Sequence, residues 1–206
     1  MKDKIHWYDG IFYDRVIAPN QDKMFSIIKN FIQDGSSVID VGCGTGRLCF
    51  QLADRCSKVT GVDLSSKNIF VANNILSDQK LSNVNFIHTD ASALTKQIPG
   101  KYDYSIITYA IHEMPPEERI AVINQLKLVS DKIIIGEYAV QKKSKLWDIL
   151  NELVEFSAGK DHYKNYKLFL RSGGVNSLIK QCGLRIISEV INEPITSHIV
   201  LTSIQN

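Results

Sequence analysis

The sequence predicts an α/β fold: a Rossmann-like sheet of seven strands, mostly parallel, with helices on both faces and an antiparallel hairpin at its end. Short β-branched runs alternate with amphipathic helical segments up to residue 136, and this alternation is typical of a parallel sheet. The last two apolar runs, residues 184–191 and 195–204, are joined only by Asn192-Glu193-Pro194. A connection this short can form only an antiparallel hairpin.

Five strands are expected before the hairpin, each short and rich in β-branched or aromatic residues. They are residues 37–41, 58–62, 84–88, 104–109 and 132–136. Helices are predicted between them from apolar spacing and from signals at their ends. Asp34-Gly35 ends the first helix, Ser65 or Ser66 caps the third, and Pro115-Pro116 opens the helix before the fifth strand.

The 47 residues from 138 to 184 exceed what one crossover helix needs. We expect a helix over 144–156, a polar aromatic loop over 159–169, and a helix near 175–182. Insertions at this place lie above the carboxyl ends of the strands, where open α/β sheets bind ligands. The chain is therefore expected to be a single domain over 1–206, with an N-terminal arm over 1–20 and a substrate cap at about 140–175.

The segment VIDVGCGTGR joins a buried-strand pattern to a glycine turn and a helix start. Its glycines, Gly42, Gly44 and Gly46, follow G-x-G-x-G, whereas dinucleotide folds use G-x-G-x-x-G. Asp40 stands two residues before the first glycine. A carboxylate there would repel the diphosphate of a dinucleotide and attract an ammonium or sulfonium group. The motif therefore favours a cationic ligand, and an NAD-dependent oxidoreductase is a remote alternative.

A second acid, Asp63, ends the next predicted strand, at the separation from Asp40 that one strand–helix–strand unit produces. A carboxylate at the tip of that strand can accept hydrogen bonds from both hydroxyls of a ribose. Hydrogen bonds to a charged group contribute roughly 1.5–3 kcal/mol each. The two acids together predict a site for a nucleoside that carries positive charge.

With these motifs the chain resembles the class I S-adenosylmethionine-dependent methyltransferases, in particular the small-molecule group related to quinone-biosynthesis methyltransferases. Four motifs carry the resemblance in family order, at residues 38–46, 59–63, 85–91 and 102–110. The resemblance implies S-adenosylmethionine as methyl donor, S-adenosylhomocysteine as product, and in-line transfer to a small organic acceptor. It assigns donor binding to Asp40, Gly42, Gly44, Gly46, Asp63, Leu64, Asp90, Ala91, Tyr109 and a covering tyrosine, Tyr13 or Tyr8.

The candidate catalytic residue is His112, because the loop after strand four faces the transferred methyl group in this family. A base is needed only when the acceptor atom carries a proton of high pKa, and a hydrogen-bonded structural histidine is the alternative. His162, Tyr163 and Trp147 are the candidate acceptor-binding residues of the cap. Asp90 has a structural alternative too, since aspartate is a favoured helix N-cap.

The composition argues against nucleic-acid-binding, metal-binding and membrane-spanning proteins. Lysine and arginine number 24 and aspartate and glutamate 22, well mixed along 206 residues, so no nucleic-acid groove is expected. The four cysteines show no metal-ligand spacing, no metal is expected, and a reduced cytoplasmic setting is indicated. No apolar run is long enough to span a membrane. A protein or RNA methyltransferase, or a non-catalytic donor-binding subunit, remains open, as does the oligomeric state.

Overall fold

The computed structural model describes residues 21–98, 100–140, 152, 155–156, 159–192 and 197–204. Its seven strands form one sheet. They are β1 (Ser37–Val41), β2 (Lys58–Asp63), β3 (Val84–His88), β4 (Tyr102–Thr108), β5 (Ser130–Tyr138), β6 (Leu184–Asn192) and β7 (Ser197–Ile204).

The strand order is β3-β2-β1-β4-β5-β7-β6. Strands β1 to β5 pair in parallel, β7 pairs antiparallel with β5, and β6 pairs antiparallel with β7. Six strands therefore point one way and β7 opposes them, which confirms the predicted sheet and its terminal hairpin. The register of β6 shifts between Ile186 and Ser188, so this edge strand carries an irregularity.

Helices cover both faces of the sheet, as predicted. They are α1 (Asp22–Phe31), α2 (Arg47–Leu52), α3 (Ser66–Gln79), α4 (Leu94–Gln97), α5 (Pro116–Val129), α6 (Lys160–Arg171) and α7 (Gly174–Gln181). Helices α1, α2 and α3 bury one core against the sheet, and α4, α5, α6 and α7 bury the other. Ser65 caps α3 by accepting a hydrogen bond from the backbone of Asn68 at 3.3 Å, as its sequence position indicates.

The prediction of a loop over residues 159–169 is wrong, because this segment forms most of helix α6. His162, Tyr166 and Phe169 are buried at helical spacing and supply the inward face that anchors the helix. The many polar residues between them occupy its outer face and obscured the period in the sequence. Most of the predicted helix over 144–156 and the whole N-terminal arm lie outside the described residues.

The carboxyl ends of the parallel strands meet along one rim of the sheet, where β2 ends at Asp63 and β4 ends at Thr108. Helix α6 reaches this rim, since Asn165 donates a side-chain hydrogen bond to the backbone oxygen of Glu113 at 2.8 Å. The segment after β4, which contains the 3-10 turn Ile111–Glu113, therefore packs against helix α6. Among the residues that the structure describes, no helix combines the length and apolar composition that a membrane span requires.

Candidate active site

The glycine turn after β1 adopts a backbone that side chains rarely tolerate. Gly42 and Gly46 have φ angles of 76° and 85°. The backbone N–H of Gly42 donates to the carbonyl of Val62 at 2.8 Å, which holds the turn against β2. A Cβ atom on Gly46 would lie 2.4 Å from the ring of Phe86, so this glycine serves packing at the start of α2.

Asp63 connects the tip of β2 to the glycine turn. One carboxylate oxygen accepts a hydrogen bond from the backbone N–H of Gly44 at 2.8 Å, and the other accepts from the N–H of Ser65 at 2.8 Å. The carboxylate therefore has a fixed orientation at the rim of the sheet. It also gives the turn and the start of α3 a common anchor.

Asp40 lies beneath the turn and is only 1 % exposed. Its Oδ2 accepts a hydrogen bond from the thiol of Cys49 at 3.5 Å. Its Oδ1 is buried and makes no hydrogen bond among the described residues. Burial raises the pKa of Asp40 to about 7, partly offset by Cys49 and increased further by the charge of Asp63.

A cavity of about 960 Å³ opens at the rim, between the glycine turn and α6. This volume lies within the range of small-molecule sites. The predicted site residues on its wall are Gly42, Gly44, Asp63, Leu64, Asp90, Ala91, Tyr109 and His162. Asp40, Gly46, His112 and Tyr163 are not on this wall, and Tyr13 and Trp147 lie outside the described residues.

The charged groups on the described wall are mainly acidic. Carboxylates come from Asp63, Asp90, Glu113, Glu118 and Asp161, and the ammonium group comes from Lys160. An acidic wall attracts a ligand with sulfonium and ammonium groups and repels a diphosphate. The buried oxygen of Asp40, which has no hydrogen-bond partner in the described part of the chain, has the same preference. The residues present therefore fit S-adenosylmethionine.

Two of the predicted donor-site residues, Asp90 and Tyr109, lie in turns at the ends of strands β3 and β4. Asp90 caps the short 3-10 turn Ala91–Ala93, accepting hydrogen bonds from the backbone N–H of Ser92 at 2.8 Å and from its hydroxyl at 2.7 Å. The capping role that its sequence position allows is thus present alongside its place on the wall. Tyr109, directly after β4, has a φ angle of 49°, which is unusual for a residue with a side chain.

At the α6 end of the cavity lies a group of histidines and glutamates, here called the histidine–glutamate cluster. Glu113 and His162 belong to the cavity wall, and His112, Glu137 and Glu155 are buried behind it. His112 is 2 % exposed, and its Nδ1 lies 2.7 Å from Oε2 of Glu137 in strand β5. Glu137 Oε1 also accepts the backbone N–H of Ile111 at 2.7 Å. Burial lowers the pKa of His112, but the charges of Glu137 and Glu155 outweigh it and raise that pKa well above its ordinary value.

Helix α6 contributes His162 to the cluster. Its Nε2 lies 2.5 Å from Oε2 of Glu155, and its Nδ1 lies 3.8 Å from a carboxylate oxygen of Glu113. Tyr138 donates a hydrogen bond to Oε1 of Glu155 at 2.7 Å. Burial opposes ionisation of Glu155, but the charge of His112 and hydrogen bonds from His112 and His162 hold its pKa well below its usual range.

Arg119 holds the backbone around the cluster. Its guanidinium donates to the carbonyls of Met114 at 2.8 Å and Asn165 at 2.7 Å, and more weakly to those of Ile111 and His112. One buried cation therefore joins the segment after β4 to helix α6. It also brings a positive charge near Glu137.

Sequence reasoning missed Glu137, Glu155, Tyr138 and Arg119. One signal was available: Glu137 interrupts the apolar run of β5, and a fully buried acid in a central strand requires a partner. The others come together only through the fold. His112 is where the sequence places it, after β4, but it lies behind the cavity wall with carboxylates at both ring nitrogens.

Comparison with known proteins identifies the family of the chain. The family model described as "Methyltransferase domain" matches residues 32–171. The ubiquinone biosynthesis O-methyltransferase of Saccharophagus degradans is 26% identical over 182 residues, covering 84% of this chain and 77% of that protein. The protein of the same name from Coxiella burnetii is 29% identical over 155 residues, covering 74% of this chain and 65% of that protein.

A similar fold occurs in the magnesium protoporphyrin IX methyltransferase of Synechocystis, solved with bound S-adenosylmethionine. The TM-score is 0.64 at 19% identity, over 96% of this chain and 86% of that one. The glycine turn, the acids at the strand tips and the matched family model lead to one conclusion. The chain belongs to the class I S-adenosylmethionine-dependent methyltransferases, with S-adenosylmethionine as its methyl donor.

Proposed function

We propose that the chain transfers a methyl group from S-adenosylmethionine to a hydroxyl oxygen of a small, partly apolar organic molecule. The supporting observation is the cavity, whose wall runs from the glycine turn and Asp63 to His162 of helix α6. Two relatives carry the name ubiquinone biosynthesis O-methyltransferase, which favours oxygen as the accepting atom. The protein and RNA acceptors that the sequence left open are outcomes of the acceptor test below.

The donor end of the cavity is assigned to Gly42, Gly44, Asp63 and Asp90. Asp63, held by the backbone of Gly44 and Ser65, presents carboxylate oxygens to the ribose. Asp40 acts from beneath the turn, where its charge favours the ammonium group of the methionine part. When bound, S-adenosylmethionine would supply a methyl group on positively charged sulfur. The acceptor oxygen would bond to the methyl carbon in line with the breaking carbon–sulfur bond, sulfur would keep the bonding pair, and the hydroxyl proton would pass to water.

The acceptor end is assigned to the segment at about 140–175, which we propose is the substrate cap. Its described part contributes Gly159, Lys160, Asp161, His162 and Asn165 to the cavity wall. Holding the acceptor oxygen in line and about 3–3.5 Å from the methyl carbon can supply on the order of 7–11 kcal/mol of the barrier. We assign contact with the acceptor to the cap and to the segment after β4.

Donor binding is tested by calorimetry with S-adenosylhomocysteine. Asp63→Ala removes the ribose acceptor and an anchor of the glycine turn, so its affinity should fall at least about tenfold. Asp131→Ala is the control, because Asp131 is exposed and its ion-pair partner is Lys101, away from the cavity. A wild-type chain that takes up no S-adenosylhomocysteine would refute the proposed function.

The acceptor class is tested with isotopically labelled donor and matched panels of small phenols, amines and thiols, together with RNA and unfolded protein. We expect label in the phenols, with S-adenosylhomocysteine formed in equal amount. Label transferred mainly to RNA or protein would overturn the small-molecule assignment. Label transferred mainly to amines or thiols would overturn the choice of oxygen.

A further inference from the structure

We propose that His112 is a buried imidazolium that joins the proposed cap to the sheet, and that His112 and Glu155 are positioning residues for the acceptor end of the cavity. Nδ1 of His112 lies 2.7 Å from Oε2 of Glu137 in β5, and Nε2 lies 3.3 Å from Oε2 of Glu155 in the cap. A carboxylate thus faces each ring nitrogen. The inference rests on the proposed function, which identifies the acceptor end, and it gives His112 a positioning task instead of the role of base.

The two carboxylates select the protonated form of the ring. A neutral imidazole carries one N–H, whereas an imidazolium donates from both nitrogens, and an ionised carboxylate only accepts. With a neutral ring, the bare nitrogen of His112 would face a carboxylate oxygen, lone pair against lone pair. Glu137 already accepts the backbone N–H of Ile111 at 2.7 Å. Glu155 already accepts the hydroxyl of Tyr138 at 2.7 Å, so the second proton belongs to His112.

The charges of the deeply buried groups balance when His112 is charged. Glu137 and Glu155 contribute two negative charges and Arg119 one positive charge, and each of these residues is at most 4 % exposed. A surplus charge in such a place is unfavourable, and an imidazolium at His112 brings the sum to zero. Burial alone would lower the pKa of His112 and raise that of Glu155. The two carboxylates outweigh burial at His112, and the charge of His112 outweighs it at Glu155.

The ring of His112 is enclosed on all sides by described elements. Other ionisable groups approach it from its own segment, from β5, from α5 and from α6: Glu113, Tyr138, Arg119, His162 and Tyr166. His112 itself is not on the cavity wall. Its two ring protons therefore stay within the cluster, and its effect on the acceptor is transmitted through neighbouring residues.

The imidazolium connects three parts of the chain that meet at the acceptor end. Glu137 is part of β5, His112 follows β4, and Glu155 belongs to the proposed cap. Oε2 of Glu155 also lies 2.5 Å from Nε2 of His162, which is on the cavity wall. The His112–Glu155 pair thereby sets where His162 and helix α6 lie relative to the sheet. Breaking this pair should loosen the acceptor end and leave the donor end intact.

The protonation state is measured by NMR on the full chain with ¹⁵N-labelled histidine. At pH 8, about 1.5 units above the ordinary pKa of histidine, we expect both ring nitrogens of His112 to carry a proton. His112→Gln assigns these signals, because it removes them. A His112 ring with a single protonated nitrogen at pH 8 would refute the proposal.

The attachment of the cap is measured by amide hydrogen exchange. Glu155→Gln keeps the size of the side chain but removes the charge facing His112, so amides of α6 should exchange at least about tenfold faster. Amides of α3, on the opposite face of the sheet, should not change. Glu189→Gln is the control, because it removes the carboxylate 2.9 Å from Nε2 of His198 on the terminal hairpin. Unchanged exchange in α6 of Glu155→Gln, or equal acceleration in the control, would contradict the proposal.

A double variant tests the charge balance. His112→Gln and Glu155→Gln each leave one surplus buried charge, whereas the double variant removes one charge of each sign. In urea denaturation, the two single changes should therefore raise the unfolding equilibrium constant by a product at least about tenfold larger than the double variant does. Effects that simply multiply would show that the two side chains are not an ion pair.

The reaction distinguishes a positioning role from a purely structural one. In Glu155→Gln, the affinity for S-adenosylhomocysteine should stay within about twofold of wild type, while KM for the phenol selected by the acceptor panel should rise about tenfold or more. An unchanged KM, or an equal loss at the donor site, would overturn the positioning role. If the wild-type chain takes up no S-adenosylhomocysteine, the proposed function and the positioning role both fail. The NMR, exchange and denaturation results still decide whether His112 is the cation that holds the cap.

Discussion

Asp40 shows how a single buried side chain can make this protein sensitive to pH. Its carboxyl group is 1 % exposed, one oxygen has no hydrogen-bond partner among the described residues, and burial raises its pKa to about 7. In the unfolded chain the pKa of an aspartate is close to 3.9. The folded state therefore binds a proton that the unfolded state releases between these two values.

We predict that Asp40 makes the fold less stable as pH rises. Because the pKa is raised in the folded state, the contribution is fully favourable below about pH 4 and is lost as pH rises through about 7. Between about pH 5 and pH 8 the loss amounts to about 3 kcal/mol. Asp40→Asn removes the ionisation, so its free energy of unfolding relative to wild type should increase by that amount over this range.

The measurement is urea denaturation at the two pH values, with Asp103→Asn as the control. Asp103 accepts hydrogen bonds from the backbone and hydroxyl of Ser37, which hold its pKa below the usual range. Its ionisation is complete in both states at either pH, so its effect should not vary between them. A difference between Asp40→Asn and wild type that is independent of pH would contradict the raised pKa.

At the scale of the element, the glycine turn assigns different tasks to glycines two residues apart. Gly44 lies on the cavity wall, and a Cβ atom there would have no atom of the described structure within 4 Å. Gly46 is away from the wall, and a Cβ atom there would overlap the ring of Phe86. The first glycine leaves the cavity open at its position, and the second leaves space for the ring of Phe86.

We predict that alanine mainly lowers stability at Gly46 and mainly weakens ligand binding at Gly44. Gly46→Ala should lower the free energy of unfolding by about 2–4 kcal/mol, from overpacking against Phe86 and from a backbone φ of 85°. Gly44→Ala should lower it by only about 1–2 kcal/mol but weaken S-adenosylhomocysteine binding more than Gly46→Ala does. Urea denaturation and calorimetry on both variants measure the two effects, and equal effects on stability and affinity would disprove this division.

The elements themselves were predictable to different degrees. Strands β1 and β3 have the predicted bounds, because their β-branched and apolar runs end at glycines or polar turns. Helix α6 was predicted as a loop, since its polar outer face dominates the composition and only its packing against the segment after β4 reveals the period. Local pattern determines an element where it is strong, and tertiary contact determines the rest.

At the scale of the whole molecule, the residues of the proposed donor end are brought together by spacing along the sequence, and those of the proposed acceptor end are not. Gly42, Gly44 and Asp63 lie close together in sequence or at the tips of neighbouring strands, so spacing alone brings them to one rim. The histidine–glutamate cluster draws on the segment after β4, on β5 and on the cap. The spacing of these residues along the chain does not predict that they lie together, because their contact depends on where α6 packs.

The cavity predicts how ligands change the stability of the molecule. S-adenosylhomocysteine at about one hundred times its dissociation constant should stabilise the folded state by about 2.7 kcal/mol. For a chain of 206 residues this corresponds to a rise in melting temperature of roughly 5–10 °C. NADH at the same concentration should cause no rise, since the acidic wall repels its diphosphate. Differential scanning fluorimetry distinguishes the two, and a rise with NADH alone would favour the oxidoreductase alternative.

The irregular register of β6 affects how the exposed edge of the sheet can pair with another chain. Ile186 and Ile187 are both substantially exposed there, at 40% and 47%, where a regular strand would turn one of them inward. A straight, apolar margin is a template onto which another polypeptide can add its backbone. The extra residue bends and twists this margin, which breaks the repeat that fibre growth requires. The protein thus carries apolar residues on an outermost strand without offering an unbroken ladder for self-assembly.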